Sequence, residues 1–299
     1  VHRRELLKSA IAGLFLGAAP RILTAQQRFQ DDKFAVLDAG GANLVAFAGG
    51  GDGIVLVDSG AQKSKGGLTG APAGGRLGTR TLFNTHYHID QTGNNEVFFT
   101  GGARIIAHDR TRQWMASDYW VPGEERYEKA RPKTALPTET FLTTGSTKVG
   151  TEQIDYGYLP LAHTSGDIYV FFRSSNVLAV GDVASPLRDP ALDYFTGAWI
   201  GGRVDAMDIL LKLSNDETRI VPAYGPVMTK AEFKAERDMM EEVRARLFTT
   251  VREGDGPKDM MAAGVLKGLP RTWKDPDKFL YDAAKGLWAH HDKLDPNVV

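Results

Sequence analysis

From residue 43 to residue 221 the chain alternates short apolar runs with glycine-rich breaks. Such short, β-branched and aromatic segments bounded by turn residues are the signature of strands. Strands are predicted at residues 43–47, 54–58, 81–84, 104–107, 153–159, 168–172, 177–180 and 219–221. Helices are expected from about Asp109 and over residues 204–213, and residues 63–78 form a Gly-rich loop. Residues 119–137, with mixed charge and three prolines, read as an irregular excursion. Beyond Met228 the spacing lengthens: Phe233, Met240, Val243 and Leu247 share one helical face, and helical patterns continue to the C-terminus. This tail is expected to cover the flank of the main domain or to serve as a homodimer contact.

Composition narrows the chemistry. The 299 residues are 42% hydrophobic and 24% charged, which suits a globular protein with a sizeable core. A formal net charge of −1 argues against a nucleic-acid or anionic-membrane surface. The absence of cysteine excludes disulfides, thiolate nucleophiles and every cysteine-ligated metal site. Any metal must sit on Asp, Glu or one of seven histidines. Residues 2–8 read H-R-R-E-L-L-K and precede an apolar run at 10–20, too short to span a bilayer. With Arg3 and Arg4 paired, residues 1–25 resemble a twin-arginine export signal, cleaved near Ala25, so a periplasmic or otherwise exported location is expected. No later segment approaches the roughly 18 apolar residues of a membrane span.

One constellation stands out. His86, His88 and Asp90 alternate where a predicted strand ends, and alternate side chains of an extended segment point the same way. Downstream, His163 in L-A-H-T-S-G-D and Asp182 in L-A-V-G-D also stand at strand exits, where loops hold chemistry on a rigid scaffold.

Together with V-D-S-G at Val57 to Gly60 and V-P-A-Y-G-P at Val221 to Pro226, these pieces resemble the metallo-β-lactamase superfamily in order and spacing. The resemblance implies an α/β fold: a four-layer αββα sandwich with the site at one edge, spanning residues 28–230, followed by a helical extension at 231–299. It implies zinc on His86, His88 and His163, with Asp182 bridging to a second metal. Asp90 would ligate that second metal or steer the attacking water, and Asp58 would be a structural anchor outside the site. Two positions depart from the family pattern. Gln91 replaces a histidine after the aspartate, and Ala223-Tyr224-Gly225 replaces a Gly-His-Gly turn. Both imidazoles of the second site are missing, and Tyr224 must lose a proton of pKa about 10 to bind zinc well. One tight zinc is expected, with a second site that is weak or absent.

Three neutral imidazoles leave zinc an open fourth position and lower the pKa of its water to about 7. That chemistry suits hydrolysis of an ester, lactone, thioester or amide in a small-molecule substrate. Asp90 would orient the water and carry its proton, and Tyr224 would either donate to the oxyanion or pack. Two other readings stand beside it: an iron oxygenase of the persulfide dioxygenase kind on His86, His163 and Asp182, and a degenerate member that binds without turnover. Trp114, Tyr119, Trp120, Tyr194, Phe195 and Trp199 either line a pocket or fill the core. His108 is expected to cap the following helix or fill the core beside it, and His290 and His291 to lie on a solvated helix end.

Overall fold

The computed structural model describes residues 26–30, 33–39, 42–61, 78–121 and 125–290. The expected signal at 1–25, nearly all of the loop at 63–78 and His291 lie outside them. Two sheets face each other. The first contains β1 (Gln26–Gln30), β2 (Phe34–Ala39), β3 (Ala42–Ala48), β4 (Ile54–Val57), β5 (Thr79–Phe83), β6 (Arg104–His108) and β9 (Glu139–Phe141), in that spatial order. The second runs β10 (Thr144–Val149), β11 (Glu152–Tyr158), β12 (Ile168–Phe172), β13 (Val177–Gly181) and β14 (Arg219–Pro222). Between β6 and β9, residues 119–137 are not wholly irregular. They hold a small hairpin of β7 (Tyr119–Val121) and β8 (Arg126–Glu128).

The side-chain alternation of the strands builds the layers. Phe34, Val36, Val45, Phe47, Val55, Val57, Phe83 and Ile106 point inward from the first sheet to meet Ile168, Val170, Phe172, Val177, Ala179 and Val221 from the second. The intervening residues Ala46, Ile54, Leu56, Leu82 and Ile105 face the opposite way and pack on Phe98 of the helix Asn95–Thr100. On the far side, Phe171, Leu178, Val180 and Ile220 pack under the helices Ile200–Leu213, Lys230–Arg252 and Pro276–Ala289. The result is the expected αββα sandwich.

The predicted strands recur with ends shifted by a residue or two. Besides the hairpin, four strands of the two large sheets, β1, β2, β9 and β10, gave no usable signal. β2 reads F-A-V-L-D-A, an apolar run without a clear period, and β10 reads T-G-S-T-K-V, a largely exposed edge strand whose pairing is carried by backbone. The C-terminal helices do more than cover a flank, because the last one also lines the cleft described below. Among the described residues no helix is long and apolar enough to cross a membrane.

Phe172 is fully buried at the centre of the sandwich, 4.8 Å from Phe34 and 5.6 Å from Phe47 between ring centroids. Phe172→Ala is expected to cost about 3–5 kcal/mol, measured by urea unfolding; a loss below about 1 kcal/mol would mean the layers do not depend on this contact.

Candidate metal centre

The site forms where the strands of both sheets run out at one edge. β4 ends at Val57, and Asp58 follows it, held at φ 63° and buried. Its carboxylate accepts from the Thr85 backbone N–H and hydroxyl, each at 2.8 Å, so the segment leaving β5 is pinned to the end of β4. Having given its proton to Asp58, the Thr85 hydroxyl can only accept from His86 Nδ1, 3.1 Å away. That assigns the proton of His86 to Nδ1 and leaves the Nε2 lone pair bare. Gly181, at φ 59°, comes so close to Thr85 that a Cβ there would lie 2.9 Å from the Thr85 Cβ. The end of β13, carrying Asp182, is thereby pressed against the histidine segment.

His163 and His88 follow the same logic. The loop holding His163 is tied by Asp167, whose carboxylate accepts from the His163 N–H at 2.6 Å and from the N–H and hydroxyl of Thr164. His163 Nδ1 donates to the Ala191 carbonyl at 2.9 Å, freeing Nε2. His88 Nε2 lies 3.3 Å from the Asp193 carboxylate, freeing Nδ1. The three remaining nitrogens lie within 4.8 Å of one another. His88 Nδ1 and His163 Nε2 stand 3.1 Å apart, close enough to share a proton or to ligate one ion. His86 Nε2 is buried with no hydrogen-bond partner. Three converging lone pairs, each imidazole held from behind by its other nitrogen, fit a metal ion.

The electrostatics agree. Burial, and then His163 and His88 nearby, hold the His86 pKa well below its ordinary value, so it is neutral. Burial alone would depress His88, but Asp193 outweighs it and the net shift is upward. Burial would likewise raise Asp193, yet the hydrogen bonds from His88 and Tyr87 hold it below the ordinary carboxylate range. Asp182 is raised by burial; its Oδ2 lies 3.6 Å from His86 Nε2 and 3.9 Å from His163 Nε2, where a bound cation would favour its charged form.

The remaining expected site residues stand beside this cluster. Tyr224 donates its hydroxyl to Asp90, and the Arg188 guanidinium lies over the Tyr224 ring. Burial, and next Asp90, push the Tyr224 pKa upward, so its hydroxyl remains a donor. Asn43 holds this turn through the carbonyls of Pro222 and Gly225. Gln91 is fully buried, with neither end of its amide bonded within the protein.

A cleft of about 990 Å³ opens beside His88, Asp90 and His163. Of the six aromatics singled out from the sequence, Tyr119, Tyr194 and Phe195 line it; Trp114 stands behind, stacked on Tyr87. Trp199 is core and Trp120 is exposed against Tyr127. His108 caps the helix Asp109–Met115, as expected. His290 corrects the expectation of a solvated end: it stacks on Trp199 and bonds the Gly197 carbonyl. Sequence reasoning missed Asp193, Arg188 and Arg131. Tyr194 and Phe195, directly after Asp193, were the one available hint.

This edge-of-sandwich histidine cluster is the architecture of metal-dependent αββα proteins. The family model of the metallo-beta-lactamase superfamily matches residues 37–243, and the chain belongs to that superfamily. Among solved structures, a metallo-beta-lactamase from Pontibacter korlensis is 15% identical with a TM-score of 0.54, covering 73% of this chain and 99% of its own. The DIM-1 metallo-beta-lactamase gives 14%, 0.54, 73% and 97%. The sec-alkylsulfatase Pisa1 from Pseudomonas sp. is 12% identical with a TM-score of 0.57; the match takes in 90% of this chain but half of that one. At these identities the likeness concerns the fold. No curated protein matches the chain in sequence.

Asp193→Asn should keep the fold and weaken metal binding by about 10- to 100-fold, because the group orienting His88 loses its charge. Competition against a chromophoric chelator measures this; unchanged affinity would remove Asp193 from the centre.

Proposed function

We propose that the protein is a zinc-dependent hydrolase that attacks an ester, lactone, thioester or amide carbonyl. The observation that carries this reading is the set of three converging imidazole nitrogens, His86 Nε2, His88 Nδ1 and His163 Nε2, beside an open cleft that His88 and His163 line. The neighbours in fold carry hydrolase names, two beta-lactamases and a sec-alkylsulfatase.

When bound on those three nitrogens, zinc supplies a Lewis acid and lowers the pKa of water to about 7. The chain supplies the rest. Asp90, half-exposed at the start of the helix Ile89–Thr92, accepts the proton of the attacking water and returns it to the leaving group. Tyr224 orients that carboxylate through its hydrogen bond. Asp182, just past the end of β13, faces the same centre and would offset the charge of an ion held there. Tyr87, Tyr119 and Phe195 shield one side of the cleft from water.

A single ion follows from the ligand set. Tyr224 keeps its proton and engages Asp90, so the position that supplies an imidazole elsewhere in the family holds a hydrogen-bond donor here. Asp90 and Asp182 offer oxygens without a neutral nitrogen beside them.

Elemental analysis of the purified protein should give about one zinc per chain, and His88→Ala should lose both metal and hydrolysis of chromogenic esters and cephalosporins. Two tight zincs, or stoichiometric iron, would overturn this; iron would favour an oxygenase on His86, His163 and Asp182. The double change Gln91→His with Tyr224→His should create a second zinc site seen by titration, because each adds a neutral donor near pH 7. Retention of one zinc with an intact circular dichroism spectrum would mean these positions do not face the second-metal location.

A further inference from the structure

Four cationic side chains line the cleft: Arg126, Lys129, Arg131 and Lys278. Three have carboxylate partners. Arg126 pairs with Glu128, Lys129 with Asp118 at 2.7 Å and Lys278 with Asp282 at 2.7 Å. Arg131 differs. Its Nη2 donates to the Tyr87 carbonyl at 2.7 Å and its Nη1 to the Thr92 hydroxyl, both neutral acceptors. Among the described residues no carboxylate comes within ion-pair distance of it; the field of Asp90 reaches it from farther away. Two of the five guanidinium N–H groups are used, so three remain.

The surroundings define what such a charge would bind. Arg131 is half-buried and shares its stretch of cleft with Tyr87, Tyr119 and Phe195. Trp114 packs behind that wall, with ring centroids 5.2 Å from Tyr119 and 5.3 Å from Phe195. The carbonyl and hydroxyl that hold Arg131 belong to residues flanking His88 and Asp90, so the guanidinium is fixed relative to the reacting end of the cleft. An unneutralised planar cation in a partly apolar wall favours an oxyanion, which it can bind through two parallel hydrogen bonds.

We propose that Arg131 is an anion subsite, so that the substrate carries a carboxylate or sulfate on an apolar, preferably aromatic, frame. The proposal rests on the hydrolase reading for calling the ligand a substrate, but the subsite can be tested without turnover. Two ligand pairs share one frame: 4-phenylbutyrate and 4-phenylbutyl sulfate as anions, 4-phenylbutyramide and 4-phenylbutanol as their uncharged counterparts. Binding is read by tryptophan fluorescence or calorimetry. Chelator-treated protein is used beside the zinc-loaded form, since an anion could otherwise bind the ion itself.

In both forms the anions should bind about 10- to 100-fold more tightly than the neutral compounds, the value expected for one charge-assisted contact. The preference should shrink as salt rises. Arg131→Gln, which can still donate to the Tyr87 carbonyl, should bring the anion-to-neutral ratio to about one, and Arg131→Lys should restore part of it. The proposal is overturned if the native chelator-treated protein shows no preference for the anions, or if the preference survives in folded Arg131→Gln. If that variant does not fold, charge preference and salt dependence in the native protein decide. The relative response to carboxylate and sulfate identifies which anion the subsite suits. Absence of hydrolysis of p-nitrophenyl butyrate and mono-p-nitrophenyl glutarate, with anion binding retained, would sink the hydrolase reading and leave the subsite standing.

Discussion

Everything at the site depends on the Asp58 carboxylate holding Thr85. Two strands of one sheet end side by side, and this contact decides where the chain goes next. The same hydroxyl then dictates which nitrogen of His86 carries hydrogen, so a contact between strand ends becomes a statement about ligand chemistry. A buried carboxyl at a left-handed, non-glycine position is costly, and burial raises its pKa. Its hydrogen bonds to the first residue of the histidine segment give that cost a purpose.

The second element is the loop from Asp182 to Asp193, which delivers Asp182, Arg188 and Asp193 to the centre from one continuous stretch. It is held from behind by charges of the C-terminal half. Fully buried Arg203 donates to the Asp182 carbonyl, Glu236 accepts from the Ser185 N–H and Arg271 donates to the Ser185 carbonyl. Glu236 lies 3.6 Å from Arg203 and 3.7 Å from Arg271, so one carboxylate sits between two guanidiniums. The Asp189 carboxylate accepts from the backbone N–H groups of Lys274 and Asp275 at the start of the last helix. Metal centre and helical extension are therefore one mechanical unit.

Much of this was legible in the sequence because it is local. The spacing of His86 and His88 brings two imidazoles together, whereas Asp90 stands on the helix Ile89–Thr92 rather than on an extended segment; the strands of the inner core announce themselves by their apolar period. What escaped depends on partners far along the chain. Asp193 acts on residues 105 and 106 positions away. Among the described residues Arg131 has no acid partner, unlike Arg126 and Lys129, and spacing does not reveal that difference. Strand β10 pairs through its backbone while burying only Val149 of its six residues, so it leaves little hydrophobic trace. The role of Tyr224 needed the position of Asp90, 134 residues earlier, before packing and hydrogen bonding could be told apart.

The last helix, Pro276–Ala289, contributes Lys278, Tyr281 and Asp282 to the cleft wall and no atom to the histidine cluster. Part of the cleft wall is thus carried on a stretch of chain that takes no part in the histidine cluster. Selectivity can drift by surface substitution on this one helix while the coordination sphere stays under its own, separate constraint. A lineage built on such a plan can change diet without relearning its chemistry.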